Sequence, residues 1–407
     1  MASAPLAAAT LGDAGSLREF QDERRRKRRN NGVFLAVVVA AFLYPLLDKA
    51  LGIDKLGALL GIMVFVILAL GLNIVVGYAG LLDLGYAAFF AIGAYTMGFL
   101  TSPSSEFVQR GWIPEWLQHF WPAMAISWVV AAIFGVLLGA PTLRLRGDYL
   151  AIVTLGFGEI VPNFFENAED ITGGVSGINP IGRPTTLSVG GYDLAFGPTN
   201  QRNWFWLMLV VGIFSVFLIQ RLYDSRLGRS WQAIREDELA ASSMGINLVQ
   251  TKLWAFALGA SFAGFAGSIF ASAFQIIDPS QFEFLVSITV LAMVILGGIG
   301  NIYGVIVGAL LIGGFDRILS DELTGPVQWL GRQIEWDALA NHNVSQDRYV
   351  VFGGALVLMM LLRPGGLIPN ARRRAELQPE TEEIAAVESE SLFDVRREQD
   401  GLAGERA

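Results

Sequence analysis

Long apolar stretches recur along this chain, each with nearly the length needed to cross a membrane. A spanning helix takes about 20 consecutive apolar residues, and hydropathy indicates ten such helices in the 407 residues. They are predicted at 33–47, 56–77, 81–100, 121–140, 149–166, 204–221, 252–274, 285–298, 302–315 and 349–363. The sequence therefore predicts an all-α, polytopic membrane protein. Two points stay open: residues 78–84 form a loop or a re-entrant break, and residues 285–315 form two helices or one bent element.

The composition agrees with residence in a membrane and excludes several kinds of chemistry. Charged residues make up 16% of the chain, against about 25% in an ordinary soluble domain. The chain has no cysteine, and its histidines, His119 and His342, lie in predicted loops, so neither thiolate chemistry nor a histidine metal site is expected. No G-x-x-x-x-G-K-[S/T] loop is present to bind ATP. The sequence thus predicts no catalytic residue, no metal and no cofactor bound by this chain.

Basic residues predict the orientation and the domain boundaries. The cluster at 24–29 directly precedes the first span, and lysine and arginine flanking membrane spans favour the cytoplasmic side. With ten spans, the clusters at 144–146, 226–235 and 372–374 fall on that same side, so both termini are predicted to be cytoplasmic. The predicted regions are a basic N-terminal extension that contacts anionic lipid (1–31), a transmembrane domain (32–366) with external loops at 167–203 and 316–348, and an acidic, disordered tail (367–407).

Small residues recur every fourth position in two of the predicted helices. Such spacing lets helix backbones approach closely in lipid. The residues concerned are Gly259, Ala263 and Gly267 in one segment, and Gly300, Gly304 and Gly308 in the other. The pattern is compatible with ordinary packing inside one subunit and with a moving interface or a pore lining.

A few polar residues fall at membrane depth, where an unpaired carboxylate is costly. Glu159 is predicted at mid-span, and with Asn73, Tyr86 and Tyr95 it forms a candidate translocation path. Alternatively, Glu159 pairs with a neighbouring helix or lies nearer the outer surface, and the tyrosines belong to the interfacial aromatic belt. Asp83 is predicted at a short inner turn, where an acid needs no special role.

The connector AIREDELAASSMGINLVQT (233–251) is unusually long for a link between two spans. Its composition predicts a short amphiphilic helix parallel to the membrane, seated in a groove on a cytosolic protein. Apolar contacts are predicted for Ile234, Leu239, Met244 and Ile246, and contacts with basic groups for Glu236, Asp237 and Glu238. A solvated loop is the alternative. We call residues 233–247 the coupling segment.

Five segments of the chain resemble the LivM-type permease family of bacterial branched-chain amino acid ABC importers. They are GLNIVVGYAGLLDLGYAAFFAIGAYT (71–96), PTLRLRGDYLAIVTLGFGEI (141–160), ITGGVSGINPI (171–181), GRSWQAIREDELAASSMGINLVQTKLWAFALGASFAGFAG (228–267) and VLAMVILGGIGNIYGVIVGALLIG (290–313). The resemblance implies an ABC importer permease fold in the bacterial inner membrane and import of leucine, isoleucine or valine. It also implies three kinds of partner: a sister LivH-type permease, two ATPases that bind ATP and Mg²⁺, and a periplasmic or extracellular binding protein that docks on loop 167–203.

The resemblance also assigns the contacts with the ATPases. They map to Arg235, Glu236, Asp237, Glu238, Ala240, Ala241, Gly245 and Asn247. The chain departs from the general importer motif because Leu239 stands where a glutamate is usual and the later I-x-L-P is missing. Three alternatives remain: a permease for urea or short amides, a proton-coupled secondary transporter that uses Glu159 and Asp83 as relay groups, and a purely structural membrane anchor.

Overall fold

Helices make up most of the described chain in the computed structural model. The structure describes residues 41–48, 52, 55–142, 148–189, 192–197, 200–334, 347–363 and 365–368. The α-helices are α1 (41–48), α2 (Leu56–Leu72), α3 (Tyr86–Thr101), α4 (Glu106–Gln109), α5 (Phe120–Thr142), α6 (Asp148–Asn167), α7 (Glu169–Thr172), α8 (Gln201–Tyr223), α9 (Arg226–Glu236), α10 (Glu238–Ser243), α11 (Leu248–Phe274), α12 (Phe284–Gly297), α13 (Ile302–Gly314), α14 (Ser320–Gln333) and α15 (Arg348–Leu362). π-Helical segments follow α2 at Asn73–Tyr78 and α13 at Phe315–Leu319, and short 3-10 helices lie at Glu115–Gln118, Gly174–Ser176 and Pro279–Phe282.

Six of the described helices are long and apolar enough to cross a membrane. They are Leu56–Tyr78, Phe120–Thr142, Gln201–Tyr223, Leu248–Phe274, Pro279–Gly297 and Ile302–Leu319, with a shorter apolar helix at Tyr349–Leu362. Within the described ranges, helices occupy the segments in which hydropathy predicts them, except that residues 81–85 of the predicted span 81–100 are not helical. The first predicted span is described only over its last part, and the N-terminal extension and the tail beyond residue 368 lie outside the described residues. The chain is a multi-pass, largely helical membrane protein.

The central helix of the bundle is α11, which packs against α2, α3 and α5. Its small residues make these approaches possible, because a Cβ atom added at Gly267 would collide with the carbonyl oxygen of Phe90, and one added at Gly259 would collide with the side chain of Val75. Ala263, between them in the same stripe, is fully buried. Close helix approach of this kind supplies packing energy in lipid, where hydrophobic burial supplies little.

Helices α12 and α13 are two separate elements joined by a tight turn, which answers one of the open points. Gly298 and Gly300 have φ angles of 122° and 84°, which are accessible to glycine and strained for other residues. The side chain of Asn301 then accepts hydrogen bonds from the backbone of Tyr303 and Gly304 and begins α13. Across the hairpin, a Cβ at Gly304 would meet the Gly297 carbonyl oxygen at 2.5 Å, and one at Gly308 would collide with the Met293 carbonyl oxygen.

The chain between α2 and α3 is broken rather than looped, which answers the other open point. The π-helix Asn73–Tyr78 ends α2, residues 79–85 are not helical, and α3 begins at Tyr86 instead of the predicted residue 81. Gly80, with φ 70°, turns the chain back. The Tyr86 hydroxyl donates to the carbonyl of Gly259, deep in α11, at 3.0 Å. The start of α3 therefore lies well inside the bundle, as in the discontinuous helices of transporters.

The two ends of the bundle are marked by different contacts. At one, which we call the Arg235 end, Arg235 donates a hydrogen bond to the Gly77 carbonyl. At the other, the Ile277 end, Ile178 and Ile277 exchange backbone hydrogen bonds of 2.9 and 3.2 Å. The predicted external loop 167–203 also carries a short antiparallel hairpin of β1 (Leu187–Val189) and β2 (Tyr192–Leu194). Among the described residues, this hairpin and the isolated bridge are the departures from an all-α fold.

Candidate functional site

The coupling segment is not a single helix: it contains the end of one helix and a second, short helix that follows a turn. α9 ends at Glu236, Asp237 adopts an extended conformation (φ −154°, ψ 113°), and α10 covers Glu238–Ser243. The Asp237 carboxylate accepts hydrogen bonds from the backbone N–H groups of Leu239 at 2.7 Å and Ala240 at 3.1 Å. An aspartate that caps a helix in this way satisfies donors that have no partner inside the helix. Asp237 thus starts α10.

The far end of the segment is fixed by glycine and asparagine. Gly245 has φ 85°, a left-handed conformation that terminates helices at low cost when the residue is glycine. The Asn247 side chain accepts a hydrogen bond from the backbone of Gln250 at 3.1 Å and begins α11. Both residues therefore set the geometry with which α10 is presented.

The three consecutive acids of the segment have different roles in the structure. Glu238 forms an ion pair with Lys252, whose side chain is only 11% exposed. Asp237 is the helix cap, which leaves Glu236 as the exposed acid with no hydrogen bond or ion pair in the described part of the chain. The sequence interpretation gave all three acids to a basic partner. The structure commits two of them to contacts within the chain, and Glu236 is the acid best placed for such a contact.

The most exposed groups of the segment are apolar. Leu239 is 74% exposed and Met244 is 84% exposed. Ala240 is exposed between them, whereas Ala241 is buried against the chain. Ile234, predicted to contact a partner, is instead 3% exposed, because it lies on the buried face of α9. Large apolar side chains held out by a short capped helix are typical of a protein-binding surface.

Arg235, which the resemblance assigns to the ATPase contact, has its guanidinium engaged within the chain, where it joins the coupling segment to the break in the second span. Its guanidinium donates to the carbonyl of Gly77, and a Cβ atom at Gly80 would lie 2.9 Å from its Cγ. The same π-helix is held from another side, where the Asn73 side-chain oxygen accepts from the backbone N–H of Gly300 at 2.9 Å. Three sequence-distant parts of the chain therefore meet at this π-helix.

Three of the predicted path residues lie inside the subunit in this conformation. Asn73, Tyr86 and Tyr95 are each at most 1% exposed. The Tyr95 ring stacks on Phe165 with centroids 3.8 Å apart. The Tyr95 hydroxyl and the Asn73 amide nitrogen have no hydrogen-bond partner among the described residues. Asn73 and Tyr86 flank the break between α2 and α3, and Tyr95 lies further along α3 against α6. Glu159 instead lies on an exposed face of α6.

Asp83 lies in the non-helical stretch 79–85, where the sequence predicts a turn, but it is buried there. Asp83 is only 1% exposed. One carboxylate oxygen accepts from the backbone of Gly85 at 3.0 Å, and the other has no partner in the described residues. The burial arises because residues 79–85 fold back into the bundle, so a turn residue is carried into the interior.

The exposed face of α6 that carries Glu159 is defined by Tyr149, Ile152, Glu159, Ile160, Asn163 and Phe164. Glu159 lines a cavity of about 470 Å³ between α6 and the start of α12. Glu166, Asp278 and Glu283 line the same cavity. The sequence interpretation did not include these three acids, although Asp278 and Glu283 lie in the short polar stretch between two predicted spans. No group of three or more His, Asp or Glu residues in the described ranges could hold a metal ion.

Comparisons with known proteins identify the relatives of this chain. The family described as branched-chain amino acid transport system / permease component matches residues 56–330. The high-affinity branched-chain amino acid transport system permease protein LivM of Escherichia coli is 40% identical over 332 residues, covering 78% of this chain and 70% of that protein. LivH of Escherichia coli is 22% identical over 310 residues, covering 75% of this chain and 91% of that protein. A probable LivM of Methanocaldococcus jannaschii is 26% identical over 343 residues, covering 75% and 90%. No solved structure shows a significant match.

Proposed function

The chain belongs to the family of branched-chain amino acid transport permease components, and we propose that it forms half of the membrane passage of an ATP-driven importer for leucine, isoleucine and valine. The observation that carries the proposal is the coupling segment: a capped helix that presents Leu239 and Met244 between two spans of a chain with no ATP-binding loop. Relatives named as two different permeases, LivM and LivH, support a multi-subunit system.

The Arg235 end is the cytoplasmic end in this proposal, with ten spans and both termini inside. Its support is that segments predicted on the cytoplasmic side meet there: Arg235 contacts Gly77, and Gly300 contacts Asn73. The Ile277 end, with the loop 167–203, then faces outward. The regions 1–31, 32–366 and 367–407 keep the roles of cytoplasmic extension, permease domain and cytoplasmic tail in the bacterial inner membrane.

The exposed face of α6 faces the sister permease and the passage. An isolated charged side chain at mid-span costs about 3 kcal/mol when it points into lipid, and Glu159 is exposed in the single subunit. A second, LivH-type subunit across this face would shelter the apolar residues and leave the acids of the 470 Å³ cavity in water. Two such permeases would rock about this interface to open the passage alternately to either side.

Each remaining partner has its own surface. Two ATPase subunits, which bind ATP and Mg²⁺ themselves, dock under the coupling segment through Leu239, Met244 and Glu236. A periplasmic binding protein docks on the loop 167–203, where the β1–β2 hairpin gives a shaped surface. Solute choice resides mainly in that binding protein, so this chain needs no dedicated amino acid pocket.

Reconstitution tests the proposal directly. The chain is placed in liposomes with a LivH-type permease, two ATPases and a binding protein, and uptake of radiolabelled leucine and urea is compared. We expect leucine to accumulate only when ATP is on the side of the ATPases and the binding protein is on the other. ATP-driven uptake of urea alone would overturn the substrate class. Leucine uptake without the ATPase subunits would favour a secondary transporter.

A further inference from the structure

The side chain of Arg235 has a position that the docking of ATPases alone does not explain. It lies on the last turn of α9, directly before the cap that starts α10. α9 is anchored by its buried face, where Trp231 is fully buried and donates from its indole nitrogen to the carbonyl of Thr251 at 2.7 Å. Arg235 therefore belongs to a rigid corner that must follow any movement of α10.

The guanidinium reaches away from this corner to the end of the π-helix. The Gly77 carbonyl that it binds lies in the last turn of Asn73–Tyr78, where carbonyls lack a donor in the regular helix pattern. A cation at a helix C-terminus is also favoured by the helix dipole. The aliphatic stem of Arg235 packs on Gly80, whose missing side chain leaves the room.

A π-helix is an element that can respond to a movement of α10 passed on through Arg235. Its hydrogen bonds join residues five apart instead of four, and π-helical turns are rare and frequent at functional sites. At the end of this segment the Ala79 N–H bonds to the carbonyl of Ile74, five residues back, at 3.2 Å, and beyond it the Leu81 N–H bonds to the carbonyl of Val75, six residues back, at 3.0 Å. A shift of one residue in these bonds would move the broken segment 79–85 as a unit.

The broken segment in turn positions α3 against the two elements that line the cavity. The Leu84 N–H donates to the Thr154 hydroxyl of α6 at 3.1 Å, and the Ala87 N–H donates to the Ser287 hydroxyl of α12 at 2.9 Å. A Cβ atom at Gly85 would collide with the Thr154 carbonyl, so the contact with α6 is direct. Contacts therefore run without interruption from α10 through Arg235 to the helices around Glu159.

We propose that Arg235 is a positioning residue for coupled transport: it transmits movement of the ATPase-contacting helix to the π-helix and the broken segment that set α3 against the passage. The proposal rests on the proposed function, since it requires ATPases that act on α10. Arg235 makes further contacts besides Gly77, and the transmitting role belongs to the Gly77 bond and the Gly80 packing.

The first experiment measures leucine uptake and ATP hydrolysis in the same liposomes carrying the complete importer. Arg235→Gln removes the charged donor, Arg235→Lys keeps a cation, and Arg229→Gln is the matched control, because Arg229 lies on the same helix and its bond to the Asp224 carbonyl, at 2.8 Å, is local. Loss of a charge-assisted hydrogen bond predicts roughly a tenfold fall in leucine imported per ATP for Arg235→Gln. ATP hydrolysis and subunit co-purification should stay near wild type, because the guanidinium contacts Gly77 within the chain. Arg235→Lys should recover part of the leucine imported per ATP.

An unchanged ratio in Arg235→Gln, or an equal fall in Arg229→Gln, would overturn the proposal. Loss of co-purification in Arg235→Gln would also overturn it, because it would assign Arg235 to assembly. If the wild-type importer hydrolyses ATP without importing leucine, the proposed substrate is wrong. Transmission through Arg235 is then tested by the distance between two labelled sites, which does not depend on the substrate.

That second experiment uses the absence of native cysteines. Spin labels are placed through Leu82→Cys in the broken segment and His119→Cys at the Ile277 end, and their separation is measured with and without ATP. We expect a shift of about 2 Å or more in the wild-type background, the scale of helix shifts in switching proteins, and none in the Arg235→Gln background. Equal shifts in both backgrounds would refute transmission through Arg235.

Discussion

The ion pair between Lys252 and Glu238 joins a largely buried cation to a half-exposed acid. The Lys252 side chain is 11% exposed at the start of α11, whereas that of Glu238 is 45% exposed. Removing the acid would leave a largely buried ammonium group unpaired, while removing the lysine would leave an acid that water can reach. The cost of breaking such a pair is therefore unequal on its two sides.

This inequality gives a first prediction. Glu238→Ala should lower the free energy of unfolding by about 1 kcal/mol, a value kept small because the acid is half exposed and screened. Lys252→Met, which retains the apolar stem, should cost less. Thermal unfolding of the purified complex in detergent would measure both variants. A larger loss in Lys252→Met than in Glu238→Ala would contradict the assignment.

The apolar tip of the coupling segment gives a second prediction. Met244→Asp should abolish co-purification of the ATPases, because a charge would replace an exposed apolar side chain in the contact. Gln250→Asp, a change at an exposed polar position close by in the chain, is the control and should leave assembly intact. Affinity purification through the ATPase subunit reads out both. Normal assembly of Met244→Asp would show that α10 docks through another surface.

Glu159 separates the two transport mechanisms and gives a third prediction. If ATP drives import, Glu159→Gln should change leucine uptake by less than about threefold and leave its pH dependence as in the wild type, since the amide keeps the shape of the side chain. A proton relay would lose uptake altogether, because glutamine cannot carry the proton. Uptake measured in the reconstituted importer from about pH 5 to about pH 8 distinguishes the two results.

At the scale of elements, glycines decide where helices touch, and they give a fourth prediction. Gly267→Ala should destabilise the fold by about 1–3 kcal/mol, because the added Cβ would collide with the Phe90 carbonyl. Gly212→Ala, on α8 with no described atom within 4 Å of the new Cβ, should be neutral or stabilising by up to about 1 kcal/mol. Thermal unfolding should therefore show a lower stability for Gly267→Ala and an unchanged or higher stability for Gly212→Ala. Equal behaviour would show that α11 does not pack as described.

The sequence predicts the elements better than it predicts their interruptions. Apolar length alone locates helices such as α5 and α11, because each side chain contributes its own transfer free energy. The break at 79–85 depends on tertiary partners: Gly80 holds its left-handed φ beside Arg235, which is distant in sequence. Hydropathy carries no information on such partners, so the burial of Asp83 does not follow from it.

The candidate site shows the same limit. Composition and resemblance together predict a coupling segment at 233–247, but the division of its acids follows from one residue, Asp237, that leaves helical geometry. That turn brings Glu238 to Lys252 and leaves Glu236 exposed. A change of backbone direction at a single position is set by capping energies of about 1 kcal/mol, which a pattern of residue types does not resolve.

At the scale of the whole molecule, the subunit exposes two kinds of apolar helix face. α8 presents Val210, Phe214 and Phe217 without charges among them, whereas α6 presents Ile160 and Phe164 beside Glu159 and Asn163. A uniformly apolar face is suited to lipid. A face that mixes apolar residues with a carboxylate is suited to a protein partner or to water. The two faces therefore differ in chemistry, and in the proposed importer the α8 face would meet lipid and the α6 face the second permease.

The asymmetry gives a final prediction. A spin label at Ile160→Cys on α6 should lose mobility and contact with dissolved oxygen when the sister permease is added, because the partner would cover this face. A label at Val210→Cys on α8, similarly exposed at 61% against 66% for Ile160, should keep the high oxygen contact of a lipid-facing site in both conditions. Power-saturation spectroscopy on the subunit alone and on the assembled complex makes the comparison, and the absence of native cysteines keeps each label unique. Protection of Val210 instead of Ile160 would place the second permease against α8 and move the passage away from Glu159.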